Sequence, residues 1–188
     1  MKLNLGCGYN KPEGYVSVDS NHACKPDVVH DCDKFPWPWP DNSVTEAVFH
    51  HSLEHMGQQT NTFLRLMQEL YRVCKDGAVI TIAVPHPRHD HFMIDPTHVR
   101  IITPIGLSMF DREMNETWIA ERASNTTLAL YCGVDFKITG VVEVLDEVYG
   151  DAFNCGVLDQ EKINELAKER NNVIQEYQIT LRCRKPPA

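Results

Sequence analysis

The run of residues 78–84, AVITIAV, constrains the fold of this chain more than any other segment. Five of its seven residues are β-branched, and apolar and polar residues do not alternate along it. A strand with one face in water would show that alternation, whereas a strand buried on both faces reads as a continuous apolar run. The run therefore predicts a central strand of a parallel sheet that is covered on both sides.

Four shorter β-rich runs and one clear helix precede this strand. The runs are residues 2–5, 15–18, 27–30 and 44–49. The helix is indicated by apolar residues that recur at helical spacing, namely Phe63, Met67, Leu70, Tyr71 and Cys74. Gly77, at the end of the triplet KDG, is expected to lie just past the end of that helix.

The remainder of the chain predicts two more helices and a late pair of strands. Thr103, followed by Pro104, is typical of a helix N-cap, and Asp159 could cap a second helix. Residues 136–148 and 173–184 are β-rich and can pair antiparallel. The order of elements therefore predicts an α/β fold with an open, mostly parallel sheet and an antiparallel C-terminal strand pair.

The first two connections between strands are short for this kind of fold. Residues 6–14 and 20–26 leave little room for a crossover of about 10–12 residues that contains a helix. One half of the sheet is therefore expected to lack normal helical cover. Residues 92–125 or a partner subunit, as in a homodimer, could supply that cover.

Length and composition exclude several classes of protein. The 188 residues are expected to form one domain spanning 1–188. The net charge of −8 argues against binding of bulk nucleic acid. Seven cysteines without a C-x-x-C pair, no visible signal peptide and no apolar run of membrane-spanning length predict a reduced, cytoplasmic protein with no membrane partner.

A glycine turn and two aspartates suggest a ligand site at the carboxyl ends of the first strands. Gly6 and Gly8 directly follow the first run, and a turn without Cβ atoms lets a ligand approach the backbone. Asp19 and Asp31 follow the next two runs, and the carboxyl ends of parallel strands face one crevice. Since neither a third glycine nor a P-loop is present, the site suits a nucleoside without phosphates.

The order and spacing of several motifs resemble those of the class I S-adenosylmethionine-dependent methyltransferases, especially the small Rossmann-like members. The motifs are LNLGCG, YVSVDS, DCDKFPWPWPDNSVTEAVFHHSLEHM, YRVCKDG and AVITIAVP, within residues 2–85, and the later stretch DPTHVR is also similar. The resemblance implies a Rossmann-like sheet, with residues 1–85 as the cofactor half. Residues 86–188 would then form the substrate lid and the C-terminal strands.

The resemblance also implies S-adenosyl-L-methionine as cofactor, with S-adenosyl-L-homocysteine as product. Gly6, Cys7 and Gly8 would run past the methionine and ribose parts of the cofactor. Asp19 would accept hydrogen bonds from both ribose hydroxyls, and Ser20 follows it in the expected site.

Further cofactor contacts are implied after the third and fourth strands. Asp31 would accept from the adenine amine, and the Cys32 N–H would donate to the ring. His50 and His51 would flank the methionine end. Asn4 stands where many members carry an acid, so that its contact with the cofactor amino group would be neutral.

A cluster of histidines follows the central strand. It contains His86, His89, His91 and His98, with Asp90 and Asp95 nearby. One interpretation is a substrate loop with a general base, for which His98 comes first and His91 and Asp95 follow, because histidine has a suitable pKa. A divalent metal site is a second interpretation, although the spacing matches no metal motif and no metal ligand is predicted. His55 is expected only to cap or pack.

These observations lead to one functional hypothesis and two alternatives. The hypothesis is an S-adenosylmethionine-dependent methyltransferase that acts on a small-molecule acceptor, with an oxygen as the nucleophile. The first alternative is a regulatory subunit that binds S-adenosylmethionine without catalysis. The second is a metal-dependent hydrolase that uses the cluster between His86 and His98. A nicotinamide dehydrogenase is disfavoured by the truncated glycine motif.

Overall fold

A computed structural model describes residues 1–186 and shows one seven-stranded sheet. The strands are β1 (Lys2–Leu5), β2 (Val16–Asp19), β3 (Val28–Val29), β4 (Val44–His50), β5 (Cys74–Pro85), β6 (Phe136–Leu145) and β7 (Ile174–Cys183). They lie in the order β3-β2-β1-β4-β5-β7-β6. The first five are parallel, and β7 runs antiparallel to both β5 and β6. This confirms the predicted α/β fold.

In the described part of the chain, seven helices and two short 3-10 turns connect the strands. The helices are α1 (Thr60–Val73), α2 (Asp90–Met93), α3 (Pro104–Ser108), α4 (Arg112–Glu121), α5 (Leu128–Cys132), α6 (Glu147–Asn154) and α7 (Gln160–Glu169). The 3-10 turns are His22–Cys24 and Leu53–His55. Both predicted caps are present, since Thr103 accepts a hydrogen bond from the N–H of Gly106 and Asp159 accepts one from that of Lys162. In residues 1–186, no helix is both long and apolar enough to cross a bilayer.

The end of α1 differs from the sequence prediction. The helix stops at Val73, and Cys74 already has extended geometry as the first residue of β5. Gly77, at φ +75°, lies inside β5, where the pairing with β4 is irregular between Val44 and Glu46. Gly77 therefore lies at an irregularity of the strand and not at the end of the helix. The strand is also longer than its apolar run predicted.

The core lies mainly on one face of β5. Ile80 and Ile82 of β5 are fully buried, as the apolar run predicts. Leu66 and Met67 of α1 are fully buried in the same cluster. The prediction that both faces of this strand are buried is therefore wrong, because Thr81, which points to the other face, is exposed and Val79 is half-buried.

The half of the sheet formed by β1, β2 and β3 lacks crossover helices, as predicted. The connections 6–15 and 20–27, both fully described, contain only the 3-10 turn His22–Cys24. The expectation that residues 92–125 cover this half is wrong for α3, which packs near β6 at the opposite edge. There Phe110 contacts Phe63 of α1 at 6.1 Å between ring centroids, and its carbonyl accepts from the N–H of Phe136.

Two buried tryptophans pack beside this half of the sheet. Trp37 and Trp39 contact each other edge to face, and Trp39 also meets the ring of His30 at 5.8 Å. The indole N–H of Trp37 donates to the carbonyl of Cys32. The Pro-rich segment that contains them is therefore a packed loop that leads the chain from β3 to β4.

Replacing Arg184 by alanine should destabilise the protein by about 2–3 kcal/mol, which lowers Tm by roughly 5–10 °C. The Arg184 guanidinium contacts Asp111 at 2.5 Å and Asp135 at 2.6 Å, and both carboxylates are largely buried. Its loss leaves them without that cation. Arg112→Ala is the matched control, since its 3.9 Å pair with Glu116 is exposed and is worth at most about 0.5 kcal/mol. Equal Tm values for the two variants in thermal unfolding would contradict this prediction.

Candidate functional site

A cavity of about 330 Å³ lies at the carboxyl ends of β1 to β4. It is lined by Gly6, Gly8, Asp19, Ser20, His30, Asp31, Cys32, Asp33, His51, Ser52, His55 and Met56. Its volume falls in the range of about 300–1,000 Å³ that is usual for small-molecule sites. Seven of the ten predicted cofactor residues line this cavity, which lies at the edge where open α/β sheets bind ligands.

The glycine turn is held by hydrogen bonds to the end of β2. The N–H groups of Gly6 and Cys7 both donate to the carbonyl of Val18 at 2.9 Å, and that of Gly8 donates to Asp19 at 2.8 Å. These three donors are thus already used within the protein. A ligand could approach the turn closely because the glycines have no side chains, but it would not bind these three N–H groups.

Gly6 permits a close approach that no other residue allows. Its φ is +70°, and a Cβ there would lie 2.5 Å from the Cβ of Ser52. The hydroxyl of Ser52 donates to the carbonyl of Leu5 at 2.7 Å, which fixes the segment after β4 against the turn. The turn therefore needs glycine for packing as well as for access to the cavity.

Asp19 ends β2 with a carboxylate at the cavity wall. One oxygen accepts from the N–H of Gly8 and the other from the N–H of Asn21, each at 2.8 Å. Because a carboxylate oxygen has two lone pairs, each still has one for a ligand donor. The arrangement suits two neighbouring hydroxyl groups.

Two further aspartates lie near the end of β3. Asp31 accepts from the N–H of Asp33 at 2.9 Å and lines the cavity. Asp33 binds the N–H of Gly57 through both oxygens, at 2.9 and 3.1 Å, and so holds the segment after the 3-10 turn Leu53–His55. Between them, burial raises the pKa of the Cys32 thiol to about 12, which keeps it neutral.

Three predicted cofactor residues do not line this cavity. Asn4 is buried in β1, and its amide donates to the carbonyl of Asn10 at 2.7 Å. The thiol of Cys7 is also buried and contacts the carbonyl of Gly8, whereas His50 is exposed at the end of β4 and packs edge to face on His51. Side chains alternate along a strand, so that only one of two neighbours faces the crevice.

Five lining residues were not predicted as cofactor ligands: His30, Asp33, Ser52, His55 and Met56. Three of them follow β4, so that the rule about carboxyl ends of strands, applied beyond His51, could have found them. His55 was expected only to cap or pack. Since it borders the cavity, that expectation is corrected. Burial lowers the pKa of His30, which keeps its ring neutral at pH 7.

A second cavity, of about 320 Å³, adjoins the first. It is lined by His51, Glu54, His55, Pro85, His91, Ile94, Asp95 and His98. His51 and His55 border both cavities. The three predicted catalytic residues, His98, His91 and Asp95, are therefore brought together beside the first cavity.

The other histidines of the sequence cluster do not line this cavity. His86 accepts from the N–H of Arg88 and packs on Tyr177, and His89 contacts Asp146 at 3.2 Å. Both rings are buried. The metal-dependent hydrolase interpretation, which used the four histidines together, thus lacks the ligand set that it requires among the described residues.

Acidic side chains surround His51. Its Nε2 lies 2.7 Å from Glu176, and its Nδ1 lies 3.7 Å from Glu54, beyond hydrogen-bond distance. The charges of Glu54 and Glu176 raise the pKa of His51 above its usual value, although partial burial opposes them. The wall between the two cavities thus carries both acidic and imidazole groups.

Comparison with solved structures identifies the fold. An S-adenosylmethionine-dependent methyltransferase from Archaeoglobus fulgidus is 22% identical, with a TM-score of 0.63 over 96% of this chain and 85% of that protein. Another, from Methanosarcina mazei, is 14% identical, with a TM-score of 0.54 over 98% and 92%. The [4+2]-cyclase SpnF is 16% identical, with a TM-score of 0.55 over 98% and 75%. No protein-family model and no curated protein matches the sequence.

The chain therefore has the fold of the class I S-adenosylmethionine-dependent methyltransferases. At identities of 14–22% these structures share the fold and not necessarily the reaction. The cyclase among them illustrates that point. The function must accordingly be argued from the two cavities.

Proposed function

We propose that this protein binds S-adenosylmethionine in the first cavity and transfers its methyl group to an oxygen of a small-molecule acceptor. The observation that carries this proposal is the carboxylate of Asp19 beside the glycine turn of Gly6 and Gly8. A nucleoside needs an acceptor for its ribose hydroxyls and a wall without Cβ atoms, and both stand at this edge of the sheet.

The lining residues fit this cofactor. Asp19 would bind the two ribose hydroxyls with the lone pairs that its contacts to Gly8 and Asn21 leave free. Asp31, at the end of β3, would accept from the adenine amine. The methionine end would then extend toward His51 and His55, at the border with the second cavity.

The second cavity would hold the acceptor. S-adenosylmethionine supplies a methyl group on a sulfonium, which is already an activated leaving group. The protein therefore has to position the acceptor in line with the methyl group and remove a proton from it. His91 is proposed as the base in place of His98, because His91 is exposed in this cavity, whereas the Nε2 of His98 lies 4.0 Å from both Glu54 and Asp95.

The dimensions of the second cavity and the net charge of the chain favour a small acceptor. The second cavity measures about 320 Å³, and Ile94 at its wall is 72% exposed, which offers an apolar contact. The net charge of −8 disfavours a nucleic-acid acceptor. A hydroxyl or carboxyl oxygen of a metabolite or sugar fits these conditions.

Thermal unfolding with separate ligands tests the cofactor. S-adenosylmethionine and S-adenosylhomocysteine, each at about 100 times its Kd, should add about 2.7 kcal/mol of stability. For a chain of this length that raises Tm by roughly 5–10 °C. NAD serves as the control ligand and should cause no rise. A rise with NAD, or none with the two adenosyl ligands, would refute the assignment of the first cavity.

A further inference from the structure

Glu54 is a buried carboxylate whose charge is not balanced by a hydrogen bond. Only 1% of the residue is exposed. Among residues 1–186, neither of its carboxylate oxygens has a hydrogen-bond partner. The Nδ1 of His51 lies 3.7 Å from a Glu54 oxygen, and the Nε2 of His51 lies 2.7 Å from Glu176. Because a buried carboxylate without a hydrogen bond is unfavourable, and because Glu54 shares its one near imidazole with Glu176, a cation bound at the Glu54 oxygens would stabilise it.

His98 turns a nitrogen lone pair toward Glu54. Its Nδ1 lies 2.8 Å from the carbonyl oxygen of Phe92, which can only accept, so Nδ1 carries the proton. Nε2 then has a free lone pair, 4.0 Å from Glu54 and 4.0 Å from Asp95. A backbone carbonyl that fixes the tautomer in this way is a common outer-shell partner of metal-binding histidines.

The tautomer of His55 is fixed in the same way. Its Nδ1 lies 3.2 Å from the carbonyl of Thr97 and 2.9 Å from the hydroxyl of the same residue, which leaves Nε2 with a lone pair. The rings of His55 and His98 are 4.6 Å apart. One ligand atom from each of Glu54, His55 and His98 lies within 4.8 Å of the other two.

The backbone joins the two segments that carry these side chains. The carbonyl of Glu54 accepts from the N–H groups of Val99 and Arg100, at 2.9 and 3.1 Å. Asp95 accepts from the N–H and the hydroxyl of Thr97, which shapes the loop before His98. The three side chains are thus held together by the protein itself.

We propose that Glu54, His55 and His98 bind a divalent transition-metal ion, such as Mn²⁺ or Zn²⁺. Two imidazoles and one carboxylate suit these ions better than Mg²⁺, which prefers oxygen ligands. Ligand atoms at the usual distances of about 2.0–2.2 Å from an ion lie roughly 3.3 Å apart, so the side chains must close by up to about 1.5 Å. Asp95, 4.0 Å from His98, could supply a fourth ligand.

The position of this site indicates what the ion would do. The three ligands line the second cavity, and His55 also borders the first. The remaining coordination positions would face the acceptor, and a bound ion lowers the pKa of a hydroxyl that it holds. On the proposed function, on which this step rests, the acceptor is then a compound whose oxygen binds the ion directly.

Calorimetric titration of the chelator-stripped full chain with MnCl₂, ZnCl₂ and MgCl₂ tests the site. We expect one equivalent of Mn²⁺ or Zn²⁺ to bind, and Mg²⁺ to bind more weakly. Glu54→Gln, His55→Ala and His98→Ala should each weaken that binding at least about 100-fold, which corresponds to the loss of one ligand from three. His86→Ala is the control and should change Kd less than about 2-fold, because His86 does not line the cavity.

Two results would overturn the proposal, and neither depends on the cofactor. One is no binding of Mn²⁺ or Zn²⁺ by the wild type at about 1 mM ion. The other is binding that Glu54→Gln and His55→Ala both leave unchanged, which would place the ion elsewhere. Without metal, Glu54→Gln should melt no lower than the wild type because it removes a buried charge that has no hydrogen bond, and the exposed His55 can be replaced without loss of the fold. The rise in Tm with S-adenosylmethionine, measured in chelator, tests the proposed function separately.

Discussion

Replacing Asp19 by alanine is expected to weaken S-adenosylmethionine binding by at least about 100-fold. The carboxylate ends β2 at the wall of the first cavity and keeps one lone pair on each oxygen free of the protein. Hydrogen bonds to a charged acceptor contribute about 1.5–3 kcal/mol each, and the ribose offers two. Their joint loss amounts to about 3 kcal/mol or more, which is at least two orders of magnitude in Kd.

Isothermal titration with S-adenosylhomocysteine measures this effect, and Asp27→Ala is its matched control. Asp27 also accepts two hydrogen bonds, from the N–H and the hydroxyl of Ser17 at 2.8 and 2.6 Å, but it does not line the cavity. Both variants lose contacts that hold a loop beside β2, and both should lower Tm in thermal unfolding. Only Asp19→Ala should lose affinity. An equal loss in both would mean that the loop, and not the carboxylate, governs binding.

The features of the fold that depend on local sequence were predictable. The apolar run of β5 predicted a central parallel strand correctly, although only one of its faces is buried. The side chains of Thr103 and Asp159 predicted two helix starts, because each acts on the backbone within three residues. Gly77 shows the limit of such signals. Glycine at positive φ occurs both at helix ends and at strand irregularities. Only the pairing of β5 with β4 shows that Gly77 belongs to a strand.

The first cavity was largely predictable, whereas the second was predicted only for His91, Asp95 and His98 and not for Glu54. Asp19 and Asp31 follow strands whose neighbours could be inferred, so their meeting at one edge follows from the parallel order. Glu54 and His98 are 44 positions apart, and they meet because the backbone N–H groups of Val99 and Arg100 bind the carbonyl of Glu54. No residue type in the sequence signals those two contacts. The histidines therefore looked like one cluster, although the structure divides them between packing and the cavity.

Substitution of Gly6 by alanine should lower the stability of the protein by about 2–5 kcal/mol and its Tm by roughly 5–15 °C. Two effects add here. An L-residue at φ +70° is strained by about 1–2 kcal/mol, and a Cβ placed 2.5 Å from Ser52 costs a further 1–3 kcal/mol, about as much as overpacking elsewhere in a core.

Two other glycines of the same region separate these effects. Gly14, at φ +81°, and Gly8, at φ +50°, have nothing within 4 Å of the position that a Cβ would take. Gly14→Ala should therefore show strain alone, about 1–2 kcal/mol, and leave ligand affinity unchanged. Gly8→Ala should lose the same stability but also bind S-adenosylhomocysteine more weakly, because Gly8 lines the cavity and Gly14 does not. Chemical denaturation and titration of the three variants measure both quantities. If Gly6→Ala were no less stable than Gly14→Ala, Ser52 would have room to move, and the turn would need glycine for its backbone conformation alone.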